Sequence, residues 1–227
     1  MIINTSQGNL EFNLPENFKN VGIRLSGGCD SAIIGYLLGK YVKEERPDIS
    51  LVAISLDVKG KAYQIDVAKK VIKFIEDEFD IKFKNHFTDL IEDQRISGKL
   101  QADLCSRLLA NNEIDCYFTG LTRNPPDDEM RKFAVNIFNI PAAESTIHRS
   151  HDGDKPTVVE NRYFPLTNID KKGVAELYEK FNLLDRLFPL TKSCENFSPE
   201  SLSSINLHCE TLCWQCCERH WGFGRFI

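Results

Sequence analysis

Apolar and polar positions along this chain alternate between two rhythms. A short apolar run through Ile23 and Leu25 ends at Gly27-Gly28, and after it Ile33, Ile34, Leu37, Leu38 and Tyr41 recur on one helical face. Leu51–Asp57 is almost unbroken apolar sequence, which predicts a strand covered on both faces. Val67, Val71, Phe74 and Ile75 predict a helix from Tyr63 to Phe79, and Ile81-Lys82-Phe83 predicts the start of a third strand that ends in polar Asn85–Thr88. Leu100, Leu104, Leu108 and Leu109 stripe a helix over 97–111, followed by a strand at Cys116–Gly120 that runs into Leu121–Pro126. A helix over Asp127–Asn139, a polar, turn-rich loop over 144–161, a strand at Tyr163–Leu166 and a helix from Asp170 to Phe181 complete the body. Near the N-terminus, the alternation of Leu10–Leu14 after a Gln-Gly-Asn turn predicts a hairpin or edge strand.

Strands and helices in alternation predict an α/β fold with a doubly wound, mostly parallel sheet. Ligands of such sheets sit beyond the carboxyl ends of the strands. That edge gathers Ser26–Ser31, Asp57, Gly120–Asn124 and the segment after Leu166. Residues 1–190 are expected to form the α/β domain with its N-terminal hairpin, and 191–227 a cysteine-rich tail packed on it.

Composition narrows the picture. A formal charge of −5 offers no electrostatic case for nonspecific nucleic-acid binding, although a local basic patch remains open, and nucleic acid is not expected as a partner. No apolar run reaches membrane-spanning length and no signal peptide is evident, so a cytoplasmic protein without a membrane partner is expected. Of eight cysteines, Cys194, Cys209, Cys213, Cys216 and Cys217 crowd the tail. Without a secretion signal such a cluster reads as a metal site in preference to a disulfide frame. Zinc prefers four thiolate or imidazole ligands, and Cys194, Cys209, Cys213 and Cys216 supply four; His208 and His220 are rival ligands. An iron–sulfur cluster and a simple run of reduced thiols are the alternatives, and Cys217 is read as a packed thiol.

The glycine turn carries the most chemistry. Adjacent glycines bring backbone close to a ligand, and the first amides of the following helix favour a phosphate. Asp30 and Ser31 are candidate helix caps, and Ser26 and Ser31 candidate hydroxyl donors. Ser26-Gly27-Gly28-Cys29-Asp30-Ser31 resembles the Ser-Gly-Gly-x-Asp-Ser loop of the PP-loop ATP pyrophosphatases, which grips the β,γ-pyrophosphate of ATP. Together with Gln64–Ala68, Pro165-Leu166-Thr167-Asn168-Ile169-Asp170-Lys171 and the tail cysteines, it resembles the 7-cyano-7-deazaguanine synthase family.

The resemblance implies an adenine nucleotide alpha hydrolase-like fold with a small C-terminal zinc-binding element, and ATP, Mg²⁺ and Zn²⁺ as cofactors. It implies a ligase of queuosine biosynthesis that adenylates a deazapurine carboxylate, 7-carboxy-7-deazaguanine, amidates it with ammonia and yields the nitrile; relatives form homodimers. Ser26, Gly27, Gly28 and Ser31 would hold pyrophosphate, Asp30 a magnesium ion, and Lys171 would neutralise phosphate charge. Asp57 would lie at the adenosine pocket, with a turn-forming role as the alternative. The family's base-recognition segments are missing: Val58-Lys59-Gly60-Lys61, Ile96-Ser97-Gly98-Lys99 and Thr122–Asp128 stand in their places, with Arg123 and Asn124 as candidate substrate contacts. Two other readings stay open: a PP-loop enzyme that adenylates a tRNA base for thiolation or lysidine formation, and a non-catalytic ATP-binding module.

Overall fold

The computed structural model describes residues 1–58, 63–92, 97–139, 155–194 and 213–225. A hairpin, β1 (Ile2–Thr5) with β2 (Gly8–Glu11), precedes a six-stranded sheet. The sheet holds β3 (Asn20–Arg24), β4 (Ser50–Val58), β5 (Asn85–Ile91), β6 (Cys116–Phe118), β7 (Thr157–Val159) and β8 (Arg162–Phe164), in the order β5-β4-β3-β6-β8-β7. All pairs are parallel except β7 with β8, which puts an antiparallel strand at one edge. The chain moves outward one way from β3 to β4 and the other way to β6, so the crevice at their carboxyl ends is the switch point where such sheets bind ligands.

Side-chain alternation sorts the core. Val21 and Ile23 of β3 face α1 (Cys29–Glu44), which buries Ile33, Ile34, Leu37 and Leu38, and α5 (Lys171–Lys180) adds Val174, Leu177 and Tyr178 on that side. The opposite face carries Val52, Ile54, Leu56 and Tyr117 against Leu104, Cys105 and Leu108 of α3 (Ser97–Ala110). α2 (Gln64–Phe79) packs on α1, and α4 (Asp127–Phe138) follows the β6 loop.

Two expectations are corrected, and the tail gains an element. The third strand spans Asn85–Ile91 and does not start at Ile81, because Ile81 and Phe83 pack on the core as the approach to it while Lys84 N bonds Leu51 O to open the ladder. Residues 157–159, expected in a loop, pair with β8 through a turn at Glu160 and Asn161; positions 140–154 lie outside the described residues. The tail contains a helix, α6 (Trp214–Phe223), whose Trp214, Cys217 and Trp221 pack on Met130 and Ala134 of α4. Aromatic rings and a thiol supply its apolar face.

Gly120 sets how closely β6 meets the head of α1. A Cβ at this position would lie 2.6 Å from the carbonyl carbon of Asp30 and 2.6 Å from the amide nitrogen of Ser31, both backbone atoms that cannot swing aside. Gly120→Ala is therefore expected to cost about 1–3 kcal/mol, the usual range for overpacking. Denaturant unfolding checks this; an unchanged midpoint would refute the close approach.

Candidate functional site

The crevice at the switch point opens into a cavity of about 310 Å³. Ser26, Gly28 and Asp30 of the loop, Gly120–Thr122, Lys171, Lys192–Cys194, and Trp214, Gln215 and Glu218 of α6 line it. Gly27 sits at φ +79°, a conformation side chains rarely adopt, and a Cβ there would strike Val67 of α2 at 2.8 Å. Gly28 is the N-cap of α1, and no side chain caps the helix. The expected capping by Asp30 and Ser31 is thus corrected: Ser31 Oγ donates back to Gly28 O at 3.0 Å, and Asp30 turns to Lys171. The helix dipole and the first-turn amides are left for an anion.

Lys171 is almost fully buried and occupies the centre of the site. Its ammonium donates to Asp30 Oδ1 at 2.6 Å and stands 4.0 Å from Glu218 Oε2, itself buried. Asp170, the N-cap of α5, accepts from Lys172 N and Gly173 N and thereby fixes where Lys171 leaves the helix. Cys29, in the loop's variable position, is fully buried; burial and the adjacent Asp30 push its thiol pKa up, which makes it a packed thiol.

Residues 191–194 run beside the loop. Lys192 N donates to Gly27 O at 2.8 Å, and the hydroxyl of Tyr63 donates to Cys194 O. Arg219 of α6, buried over the Phe188 ring, donates to Thr191 Oγ1 at 2.8 Å, Ser193 Oγ at 3.3 Å and Phe188 O at 3.0 Å. These bonds hold Cys194 at the cavity wall. Its Sγ lies 3.9 Å from that of Cys213, and the thiols of Cys194, Cys213 and Cys216 all fall within 4.8 Å of one another, a set compatible with a metal. Cys209 and His208 lie outside the described residues. His220 is not in the thiol group and packs against Phe133. Cys217 is fully buried, and burial pushes its thiol up to about 12, as suits a packed residue.

Not every expected site residue reaches the cavity. Asp57 accepts from Gln64 N at 2.8 Å and Ile65 N at 3.2 Å, so its carboxylate anchors the head of α2 and does not line the pocket. Arg123 reaches Gln7 Oε1 at 3.2 Å and Asp170 Oδ2 at 3.8 Å, and neither it nor Asn124 is among the lining residues. Conversely, Glu218, Arg219 and Tyr63 were missed by the sequence reading. The only available signal was their proximity to the Cys213-x2-Cys216 pair and to α2.

No protein-family model matches the chain. Over 105 residues, 46% of the chain, it is 30% identical to tRNA-cytidine(32) 2-sulfurtransferases of Vibrio vulnificus and Vibrio cholerae. The chain spans about a third of the length of these relatives (34%). Among solved structures, it overlaps the U34-tRNA thiolase NcsA from Methanococcus maripaludis with its [4Fe-4S] cluster, at TM-score 0.45 and 23% identity over 77% of this chain and 60% of that one. It also overlaps NAD+ synthetase from Burkholderia pseudomallei, at TM-score 0.33 and 17% identity over 72% and 66%. Overlaps this loose carry no functional argument. The sulfurtransferase match overturns the expectation of a queuosine-pathway ligase making a deazaguanine nitrile from a carboxylate and ammonia. That expectation lacked its base-recognition segments, and the structure takes Arg123 toward the N-terminal hairpin. The tRNA-modifying alternative is the better supported.

Removing one member of a buried ion pair leaves the other uncompensated, at about 3–5 kcal/mol when burial is complete. Lys171→Met is expected to cost about 3 kcal/mol by this route, and Asp30→Asn in the same chain should return part of it. A double-mutant cycle on unfolding free energies reads the coupling; strict additivity would show that the pair does not hold the loop.

Proposed function

We propose that this chain, a PP-loop ATP pyrophosphatase by its loop and its relatives, activates a carbonyl oxygen of a tRNA base as an adenylate and exchanges that oxygen for sulfur. The observation that carries this is the match to tRNA sulfurtransferases in a chain whose glycine loop shares one cavity with Cys194, a member of a three-thiol group. A ring carbonyl oxygen is a poor leaving group. Its attack on the α-phosphorus expels pyrophosphate and turns it into the oxygen of AMP; a hydrosulfide-level sulfur donor then adds to the carbon, and AMP departs.

The chain's part is placement and charge. Ser26 and Gly28, with Gly27 and the uncapped amides of α1, hold the β,γ-phosphates, Ser31 braces the loop by donating to Gly28 O from the side of a smaller cleft, and Lys171 meets the charge that develops on pyrophosphate. Asp30 is the carboxylate at the loop that would hold magnesium, which neutralises phosphate charge when bound.

The thiols fit one tetrahedral ion. Zinc–sulfur bonds of about 2.3 Å put two thiolates roughly 3.8 Å apart, close to the 3.9 Å between Cys194 and Cys213. Cys194, Cys213 and Cys216 would hold zinc, with Cys209 the candidate fourth ligand, and the ion would pin α6 and residues 191–194 together. In a [4Fe-4S] cluster each thiolate binds a different iron, so the sulfurs spread wider.

Incubation with ATP, Mg²⁺, bulk tRNA and sulfide, followed by nucleoside mass spectrometry, is expected to give a thiolated base with tRNA-dependent release of AMP and pyrophosphate. Asp30→Asn should lower that release by about two orders of magnitude, the scale of losing one transition-state charge contact. ATP turnover that ignores tRNA would defeat the reading. Purified protein should carry one zinc per chain by elemental analysis, and Cys216→Ser should lose it together with stability. Iron and acid-labile sulfide in place of zinc would overturn the single-ion assignment.

A further inference from the structure

A second, smaller cavity of about 130 Å³ lies across the loop from Lys171. Ser26, Gly28, Asp30, Gly120 and Leu121 line both cavities; Lys171 lines only the larger, and Arg24 and Gln101 only the smaller. Its volume matches about four waters at roughly 30 Å³ each, room for one oxoanion group.

Arg24 stands at the carboxyl end of β3, on the sheet face that α3 covers. Its Nη2 donates to Gln101 Oε1, while its Nε is buried with no hydrogen-bond partner. No carboxylate lies within ion-pair distance of it among the described residues. Its electrostatic neighbours are the Cys105 thiol, which burial pushes up to about 11, and the Tyr117 phenol, also pushed up by burial, so both are neutral at pH 7. Asp30, the acid that lines the cavity, is held by Lys171. Arg162 lies on the far side of Tyr117, paired with it across β8 and β6. Its Nε is likewise buried and unpartnered, and its nearest acid is exposed Glu160 at 3.8 Å. A cation taken from water without a counter-charge is costly, and a guanidinium keeps its charge where a lysine would lose it. Folding alone does not explain an Arg24 that has no acid partner among the described residues.

We propose that Arg24, braced by Gln101 and flanked by Arg162, is an oxoanion subsite that takes one phosphate group, from the nucleotide or from the backbone of the RNA acceptor. The pyrophosphate is assigned to the Lys171 side, so a group entering past Arg24 approaches the α-phosphorus from across the loop. Arg24, with Arg162 half-exposed beyond Tyr117, is a small basic pair of the kind that the overall charge of −5 left open. The RNA source rests on the thiolation reading above; the phosphate chemistry does not.

Wild type, Arg24→Gln and Arg24→Lys are to be compared in four measurements: thermal unfolding without ligand, thermal unfolding with inorganic phosphate, calorimetric affinity for Mg-ATP, and tRNA affinity over a salt series. Arg24→Gln should melt no lower than wild type without ligand, since it removes an uncompensated charge, and should lose most of the stabilisation by phosphate. It should weaken one of the two ligands about tenfold. If the source is the nucleotide, Mg-ATP affinity falls; if RNA, tRNA affinity falls and the salt slope drops by about 1. Arg24→Lys should recover part of the loss. Lower ligand-free stability for Arg24→Gln with wild-type affinity for phosphate, Mg-ATP and tRNA would make Arg24 a structural residue and overturn the proposal. If wild type binds Mg-ATP but neither binds nor thiolates tRNA, the thiolation reading fails while the subsite is still judged on phosphate and Mg-ATP. If wild type thiolates tRNA and Arg24→Gln matches it in every measurement, only the subsite fails.

Discussion

The ammonium of Lys171 ties this molecule together. It leaves the first residue of α5, crosses to Asp30 at the head of α1, and lies 4.0 Å from Glu218 of α6. Three elements far apart in sequence meet on one buried charge, and none of the three groups would tolerate that burial alone. Gly120 and Gly222 make the meeting sterically feasible. The first keeps a Cβ off the Asp30–Ser31 peptide, and the second lets α6 lie against the stem and carbonyl of Lys171. The head of α1 is therefore held by an ion pair at the cavity wall, and no side chain caps the helix there.

The same helix that brings Glu218 brings two of the clustered thiols. Cys213 precedes α6, Cys216 lies in its first turn, and Arg219 reaches back to Thr191 and Ser193 beside Cys194. A metal bound at the thiols would thus be linked mechanically to the order of the cavity, because α6 and residues 191–194 line both. A tail that looked like an appendage is one wall of the site. Its attachment uses rings and a buried guanidinium where a sheet protein would ordinarily use aliphatics.

Local chemistry misled where it offered two uses for one residue. Asp57 ends a strand at the ligand-binding edge, yet two amides of α2 satisfy it completely enough to make it an anchor. Asp30 and Ser31 have the character of helix caps, but Lys171 outbids the backbone for Asp30, and Ser31 bonds the Gly28 carbonyl. Arg123 sits in the loop after β6 where a substrate contact is plausible, and Gln7 and Asp170 turn it away. The deazaguanine assignment failed for a related reason. It leaned on the loop and the cysteines, features that in the resembled family go with ATP and metal, whereas the segments that read a base there had no match in this chain.

Periodicity alone determined the alternating α/β order, the parallel core strands and the helix opened by Ser26–Ser31, because strand and helix burial write different spacings into the sequence. The doublet of glycines likewise announced a tight turn, made by Gly27 at φ +79°. What only the tertiary structure decided was which polar groups spend their bonds on one another. Partners such as Lys171 and Asp30 lie 141 residues apart, and no local pattern records a pairing at that distance. Nor does any local pattern show that Arg24 lines a cavity whose one acid, Asp30, is engaged by Lys171, or that Cys194 shares a wall with the glycine loop. Those facts follow from the switch-point crevice and the packing of α6, and the chemistry of the site rests on them.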